Sequence, residues 1–426
     1  MDMQRRELTQ HALRTFGAIA AAGSFCFATA NAADEDATSR YPVLVQQSDD
    51  KDSLSVYIVP MRGQVGTDIL PELYEPIIED IKTINPDMLI IKMDSHDFKN
   101  VDDEVVDIME GTGQPNRSDA SGVQLKPMAE IRESFQQELP DVRQVCYVED
   151  AMSAASLLAL SWEDLYMDPD ADFGGAAIVW AQWAYPVSGD PQKYGKYLRA
   201  TMGDVRGLVQ FGGWDEPDRR AFVQAFVVPE ATASATWRGR EAIWFGHGGG
   251  DISVDNQGER PRKISAQWLM NPPTINLDGR TAEQFLVCDG TAESENYIEG
   301  ILASLGYRRY HIVGDASELV ESHRRKWRSS ADRARAAFKK YGRMRGGGAM
   351  YQLQTALRSL QLYMSAIRVS KAVKTRMQLE GLPTNKMQLD NMLADLKELI
   401  RNFSNGGGGG GGGGIGGGGG FGGGGS

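Results

Sequence analysis

Short runs rich in β-branched and aromatic residues recur along the first half of the chain: "LSVYIVP" from Leu54, "DMLIIKMD" from Asp87, "VRQVCYV" from Val142 and "DLYM" from Asp164. Each is almost continuously apolar, the pattern of a strand buried on both faces. Between them lie segments with helical spacing: "DILPELYEPIIEDIKTI", with Asp68 as its expected N-cap, then Met128 to Leu139, then Ser153 to Trp162. Strands separated by helices cannot pair through hairpins. Alternation of this kind predicts an α/β domain with mostly buried, parallel strands and right-handed crossovers. Further on, "DPQKYGKYLRATMGDVRGLVQ" reads as a helix and "WFGHGGGDISVDNQGERP" as a loop. A last α/β-like stretch, Ile264 to Val313, puts the end of the domain near Ala316.

The flanks differ in kind. The first residues carry Arg5, Arg6 and Arg14 ahead of an Ala-rich apolar run from about Phe16 to Phe27, closed by Ala30-Asn31-Ala32. That is the layout of a signal peptide, which predicts cleavage after Ala32 and export to the periplasm or the extracellular space. Residues 1–32 are thus read as signal, 33–53 as a polar linker, 54–316 as the main domain, 317–403 as a basic helical region and 404–426 as a tail. The tail is nearly all glycine and is expected to be disordered. Within 317–403, the basic run from Arg324 to Arg345 reads as the solvated face of a helix, with an acidic partner as the alternative. Leu353, Leu357, Leu360, Met364 and Ile367 then form an apolar stripe that "EGLPTN" breaks and Leu389, Met392, Leu396 and Leu399 resume. This predicts an antiparallel helical hairpin docked on itself or on another subunit, and with it a homo-oligomer.

With 57 acidic against 45 basic residues and a net charge of -12, nucleic acid is not an expected partner. No segment after the signal is long and apolar enough to span a bilayer. Cys146 and Cys288 sit in apolar runs and read as buried free thiols. His247 and Asp251, on the glycine-rich passage, fall short of a metal site, and neither a metal nor a cofactor is expected.

Chemistry concentrates at "VEDAMSAASLLALSW". Ser153 falls where a strand gives way to a helix, so free backbone N–H groups and the helix dipole would favour a developing negative charge. A serine there is either a nucleophile or a helix cap.

Taken together, "SVYIVPMRGQVGTDILPELYEPIIEDI", "INPDMLIIKMDS" and "AMSAASLLALSWEDLYMDPDADFGGAAIV" resemble the Clp protease and crotonase superfamily, most closely its NfeD-type and signal peptide peptidase A serine peptidases. Asp164, Met167, Pro169 and Gly174 fall on the family's passage after the nucleophile and register that nucleophile on Ser153 rather than Ser156. The resemblance implies a spiral of β-β-α units with a C-terminal helical extension. It also implies peptide-bond hydrolysis through an acyl-enzyme, with Lys196 as general base and Lys193 as second choice. A Clp-type triad would want a histidine soon after the serine, and none occurs before His247. The chain departs from the family at "MDSHDFKN", where a Gly-Gly turn normally helps to receive the oxyanion. Ser95, His96 and Ala154 stand as turn and oxyanion candidates. The departure leaves a catalytically inactive scaffold, assembling through its C-terminal helices, as the alternative function. Acyl-CoA chemistry of the crotonase kind fits an exported protein poorly.

Overall fold

The computed structural model describes residues 45–48, 53–96, 120–176, 191–228, 231–246, 250, 252–253 and 275–405. Its strands are β1 (Gln46–Gln47), β2 (Leu54–Gly63), β3 (Met88–His96), β4 (Arg143–Met152), β5 (Asp164–Met167), β6 (Phe173–Gly174), β7 (Ala233–Arg238), β8 (Glu241–Gly246), β9 (Ile252–Ser253), β10 (Asn276–Leu277), β11 (Gly290–Thr291) and β12 (Arg309–Asp315). The α-helices are α1 (Pro71–Ile84), α2 (Ala120–Glu138), α3 (Ala154–Ala159), α4 (Pro191–Val209), α5 (Arg220–Val227), α6 (Gly279–Gln284), α7 (Tyr297–Ser304), α8 (Ser317–Met344), α9 (Met350–Val369), α10 (Lys371–Leu379) and α11 (Lys386–Asn405).

The main sheet runs β1-β12-β2-β3-β4-β5-β11, and every neighbouring pair in that order is parallel. The chain is therefore an α/β protein with a parallel-dominated sheet and a C-terminal helical extension. Strand β6 lies parallel to the end of β4 and antiparallel to β10. A small antiparallel sheet, β8-β7-β9, stands apart.

The uninterrupted apolar runs have a direct cause, since both faces of the central strands are buried. Tyr57, Val59, Leu89, Ile91, Cys146 and Val148 enter the larger core, which helices α1 to α5 share. Val56, Ile58, Met88, Ile90, Val145 and Tyr147 enter a second core with Ile298, Ile301 and Leu302 of α7. Each large side chain removed from water there contributes roughly 1.5–3 kcal/mol. Cys146 and Cys288 are free and buried, as expected. Desolvation raises both thiols, Cys288 to about 12, which removes the thiolate that reactivity requires.

Asp68 is not a helix cap. Helix α1 begins at Pro71 with Leu70 in the N-cap place, where proline's missing N–H is no loss. Asp68 is buried instead. Its Oδ2 accepts the Gln64 amide at 3.1 Å, and its Oδ1 accepts Arg324 Nε and Trp327 Nε1 of α8, each at 3.2 Å. Arg324, the first residue of the basic run, is accordingly only 3% exposed rather than solvated. The passage from Trp244 onward is also not all loop: β8 continues to Gly246, and Ile252–Ser253 pairs with β7.

Helices α8 to α11 surround their own core, which includes Trp327, Tyr341, Leu353, Leu360, Tyr363, Leu389 and Leu396. The predicted stripe residues on α9 and α11 enter this core except Leu399, which is 51% exposed. Arg368 near the end of α9 reaches Asp390 near the start of α11, so the two helices run antiparallel. The hairpin is not isolated, because α8 packs along α9 and an extra helix, α10, sits between. Extended backbone at Ser370 ends α9, and its hydroxyl accepts the Val373 amide at 3.4 Å to start α10. Among the described residues, no helix is long and apolar enough to cross a membrane.

Candidate active site

Strand β4 ends in a sharp turn at Ser153, whose φ of 62° and ψ of -123° place a non-glycine residue in a sparsely populated region. Such a conformation costs about 1–3 kcal/mol and persists only when the surroundings impose it. Here they do. The Ser153 amide donates to the Gly174 carbonyl at 2.7 Å, and the Ser153 carbonyl accepts the Ser156 hydroxyl at 2.7 Å. One residue earlier, β6 pairs with Ala151 and Met152. Gly174 itself has φ 136°, and a Cβ there would meet the Ile275 carbonyl oxygen at 2.4 Å, so only glycine lets β6 pass between β4 and β10.

The Ser153 hydroxyl caps nothing. It stands in the N-cap place of α3 without a cap hydrogen bond, and among the described residues no partner engages it. The side chain is half-buried. Ser156, by contrast, is fully buried with its hydroxyl donated to the Ser153 and Gly174 carbonyls. Of the two serines, only Ser153 presents an uncommitted oxygen on a strained strand-to-helix turn, the arrangement that exposes a nucleophile. Ala154 opens α3 with its methyl buried, so its amide lies immediately after that oxygen in the chain.

The downstream motif residues are held for identifiable reasons. Asp164 takes a two-pronged ion pair from Arg143 at 2.7 and 3.1 Å. Met167 is fully buried in the main core. Asp168 folds the turn back by accepting the amides of Asp170 and Ser294, both at 2.9 Å.

Ser95 and His96 are strand residues, not turn residues. Strand β3 runs beside β4 to its last residue, with Ser95 opposite Ala151 and His96 opposite Met152. The Ser95 hydroxyl is buried and donates to the Gly63 carbonyl at 2.6 Å, which commits it to joining β3 to β2. By register, His96 lies one strand over from the residue that precedes Ser153.

Lys196 lies on α4, a helix that packs on α3. Its own side chain is exposed, and among the described residues it forms no hydrogen bond or ion pair. Ser153 and Lys196 are thus on adjoining elements without a hydrogen bond between them. The side chain of Lys193 and the residues His247 and Asp251 lie outside what is described. Among the described residues, no group of three His, Cys, Asp or Glu could hold a metal ion.

Sequence reasoning missed a charged cleft of roughly 420 Å³ at the C-terminal ends of β2, β3 and β4. Arg62 pairs with Asp94 at 3.2 Å, and Lys92 pairs with Glu149 at 2.9 Å while lying 4.8 Å from the centre of the Tyr297 ring. Glu149 is the extra residue of a β-bulge, since Met93 faces Val148 while Asp94 faces Asp150. Bulges of this kind re-aim side chains next to functional sites. The signal was present in "IIKMDS", where charges at alternate positions interrupt a buried strand.

No family model matches the sequence, and no curated protein matches it either. Solved structures similar to it include a mutant of a membrane-bound stomatin-specific protease, 14% identical over 59% of this chain and 84% of that one, with a TM-score of 0.34. A membrane protease specific for a stomatin homolog from Pyrococcus horikoshii is 15% identical over 59% of this chain and 78% of that one, with a TM-score of 0.26. An enoyl-CoA hydratase/isomerase from Marinobacter aquaeolei is 11% identical over 60% and 74%, with a TM-score of 0.28. At these scores the likenesses carry no argument about this chain's chemistry, which rests on its own geometry.

Proposed function

We propose that this protein is an exported serine peptidase of the Clp/crotonase type, with Ser153 as the nucleophile of an acyl-enzyme mechanism. The observation that carries the reading is the turn at Ser153: positive φ, main chain clamped to Gly174, and a hydroxyl that caps nothing. Strain maintained at a serine whose hydroxyl performs no structural hydrogen bonding is what a poised nucleophile requires. Lys196 is the proposed general base, supported by the family registration and by the packing of α4 on α3. A lysine becomes a base when burial strips its water, so in this reading substrate seated over Ser153 covers the exposed Lys196 side chain.

The second reading, a non-hydrolysing scaffold on the same fold, is favoured by the exposure of Lys196 and the commitment of the Ser95 hydroxyl to Gly63. Labelling with a fluorophosphonate separates the two. The peptidase reading expects covalent labelling that Ser153→Ala abolishes and Lys196→Ala slows about a hundredfold, the usual contribution of a general base. His96→Ala, run in parallel, reports on the strand beside the turn. A folded sample that takes up no label sinks the peptidase reading and leaves the scaffold. For export, the expected mature N-terminus is Ala33, read by N-terminal sequencing of protein recovered from outside the cytoplasm.

A further inference from the structure

The C-terminal extension is charged oppositely to the rest of the molecule. Between Ser317 and Asn405 there are 18 Lys and Arg against 7 Asp and Glu, in a chain whose net charge is -12. Part of that positive charge is gathered in one place. A groove of roughly 920 Å³ opens where α9 ends, α10 begins and α11 begins. Arg368, Lys371, Lys374 and Lys386 line it, together with the amide side chains of Gln378 and Gln388.

Two of the four cations are partly answered within the chain: Arg368 by Asp390 at 3.9 Å and Lys371 by Glu130 of α2 at 4.0 Å. These are long, exposed pairs of little strength. Lys374 and Lys386 are exposed and have no ion pair among the described residues. The N-terminal ends of α10 and α11 and the C-terminal ends of α9 and α10 all meet at this groove, so the helix dipoles offset one another and its positive field comes from the side chains. Val369 and Met387, next in sequence to Arg368 and Lys386, are 79% and 70% exposed. Concentrated cations, amides able to pair with a peptide backbone and the apolar side chains of Ile367, Leu382, Pro383 and Leu389 in the lining describe a complement for an acidic polypeptide. The concavity favours a chain segment that enters the groove over a membrane surface, which meets convex features.

We propose that this groove is a docking site for an acidic polypeptide segment carrying apolar residues beside its carboxylates. The site is separate from Ser153 and independent of whether Ser153 is catalytic. The test uses the full chain and a fluorescently labelled oligoglutamate peptide with flanking leucines, read by anisotropy. Saturable binding is expected, weakening steeply as salt is raised. The double substitution Lys374→Glu with Lys386→Glu should lower affinity about tenfold or more. Lys339→Glu with Lys340→Glu, on the exposed face of α8, makes the same change in net charge and should leave affinity within about twofold. Unchanged thermal melting of both variants shows that folding is intact. Absence of binding, equal losses in the two variants, or displacement of the peptide by anionic phosphatidylglycerol vesicles with tighter binding to those vesicles would each overturn the proposal.

Discussion

Ser153 and Gly174 share one constraint and resolve it in opposite ways. Both have positive φ, but glycine adopts it without strain whereas serine does not. Ser153→Gly is therefore expected to stabilise the protein by about 1 kcal/mol in urea unfolding while removing fluorophosphonate labelling. Gly174→Ala should do the reverse and cost about 2–4 kcal/mol, because its methyl would collide with the Ile275 carbonyl. If Ser153→Gly were destabilising, the turn would not be strained and the case for a poised nucleophile would lose its footing. The importance of Gly174 was legible in the sequence, since the "DPDADFGG" passage follows the strand in the family's order. The strain at Ser153 was not, because a serine at a strand-to-helix junction looks identical whether it caps the helix or not. Ser95 was read as a turn residue for a similar reason. Nothing in "MDSHDF" says that β3 keeps its partners through His96.

At the level of elements, the parallel strands were readable because burial on both faces leaves an unmistakable apolar run. What joins the elements was not readable. Asp68 before an amphipathic run has the local signature of an N-cap, and its actual partners, Arg324 and Trp327, lie more than 250 residues further on. Replacing Asp68 by alanine removes the carboxylate that Arg324 Nε meets at 3.2 Å in a nearly dry site. The expected cost is about 3–5 kcal/mol in chemical denaturation, against a smaller loss for Asp68→Asn. The same junction is expected to be acid-sensitive. Burial lowers the pKa of His323, the neighbour of Arg324, below its ordinary value, with Lys326 acting in the same direction and Glu72 and Asp68 opposing. A histidine whose folded pKa is depressed contributes stability above its unfolded pKa and loses it as the pH falls through the folded value. Thermal melting at about pH 5 should therefore show a smaller drop from its pH 7 value for His323→Gln than for the unmodified chain.

For the whole molecule, the extension and the α/β body share structure rather than merely adjoin. Leu70, from the loop before α1, is buried in the core of the helical bundle, and Val320 of α8 is buried in the core of the body. Unfolding followed by far-ultraviolet and by tryptophan signals is expected to give one coincident transition, and two separated transitions would show that the bundle is autonomous. The Asp68 contact also has a consequence in time. Ribosomes add about 5–20 residues per second, so Arg324 is synthesised tens of seconds after the carboxylate it will cover. During that interval the loop from Gln64 to Ile69 has its acid but not its cation. The body is finished only when the last quarter of the chain arrives, and any product that stops short carries an open, negatively charged seam where α8 should lie.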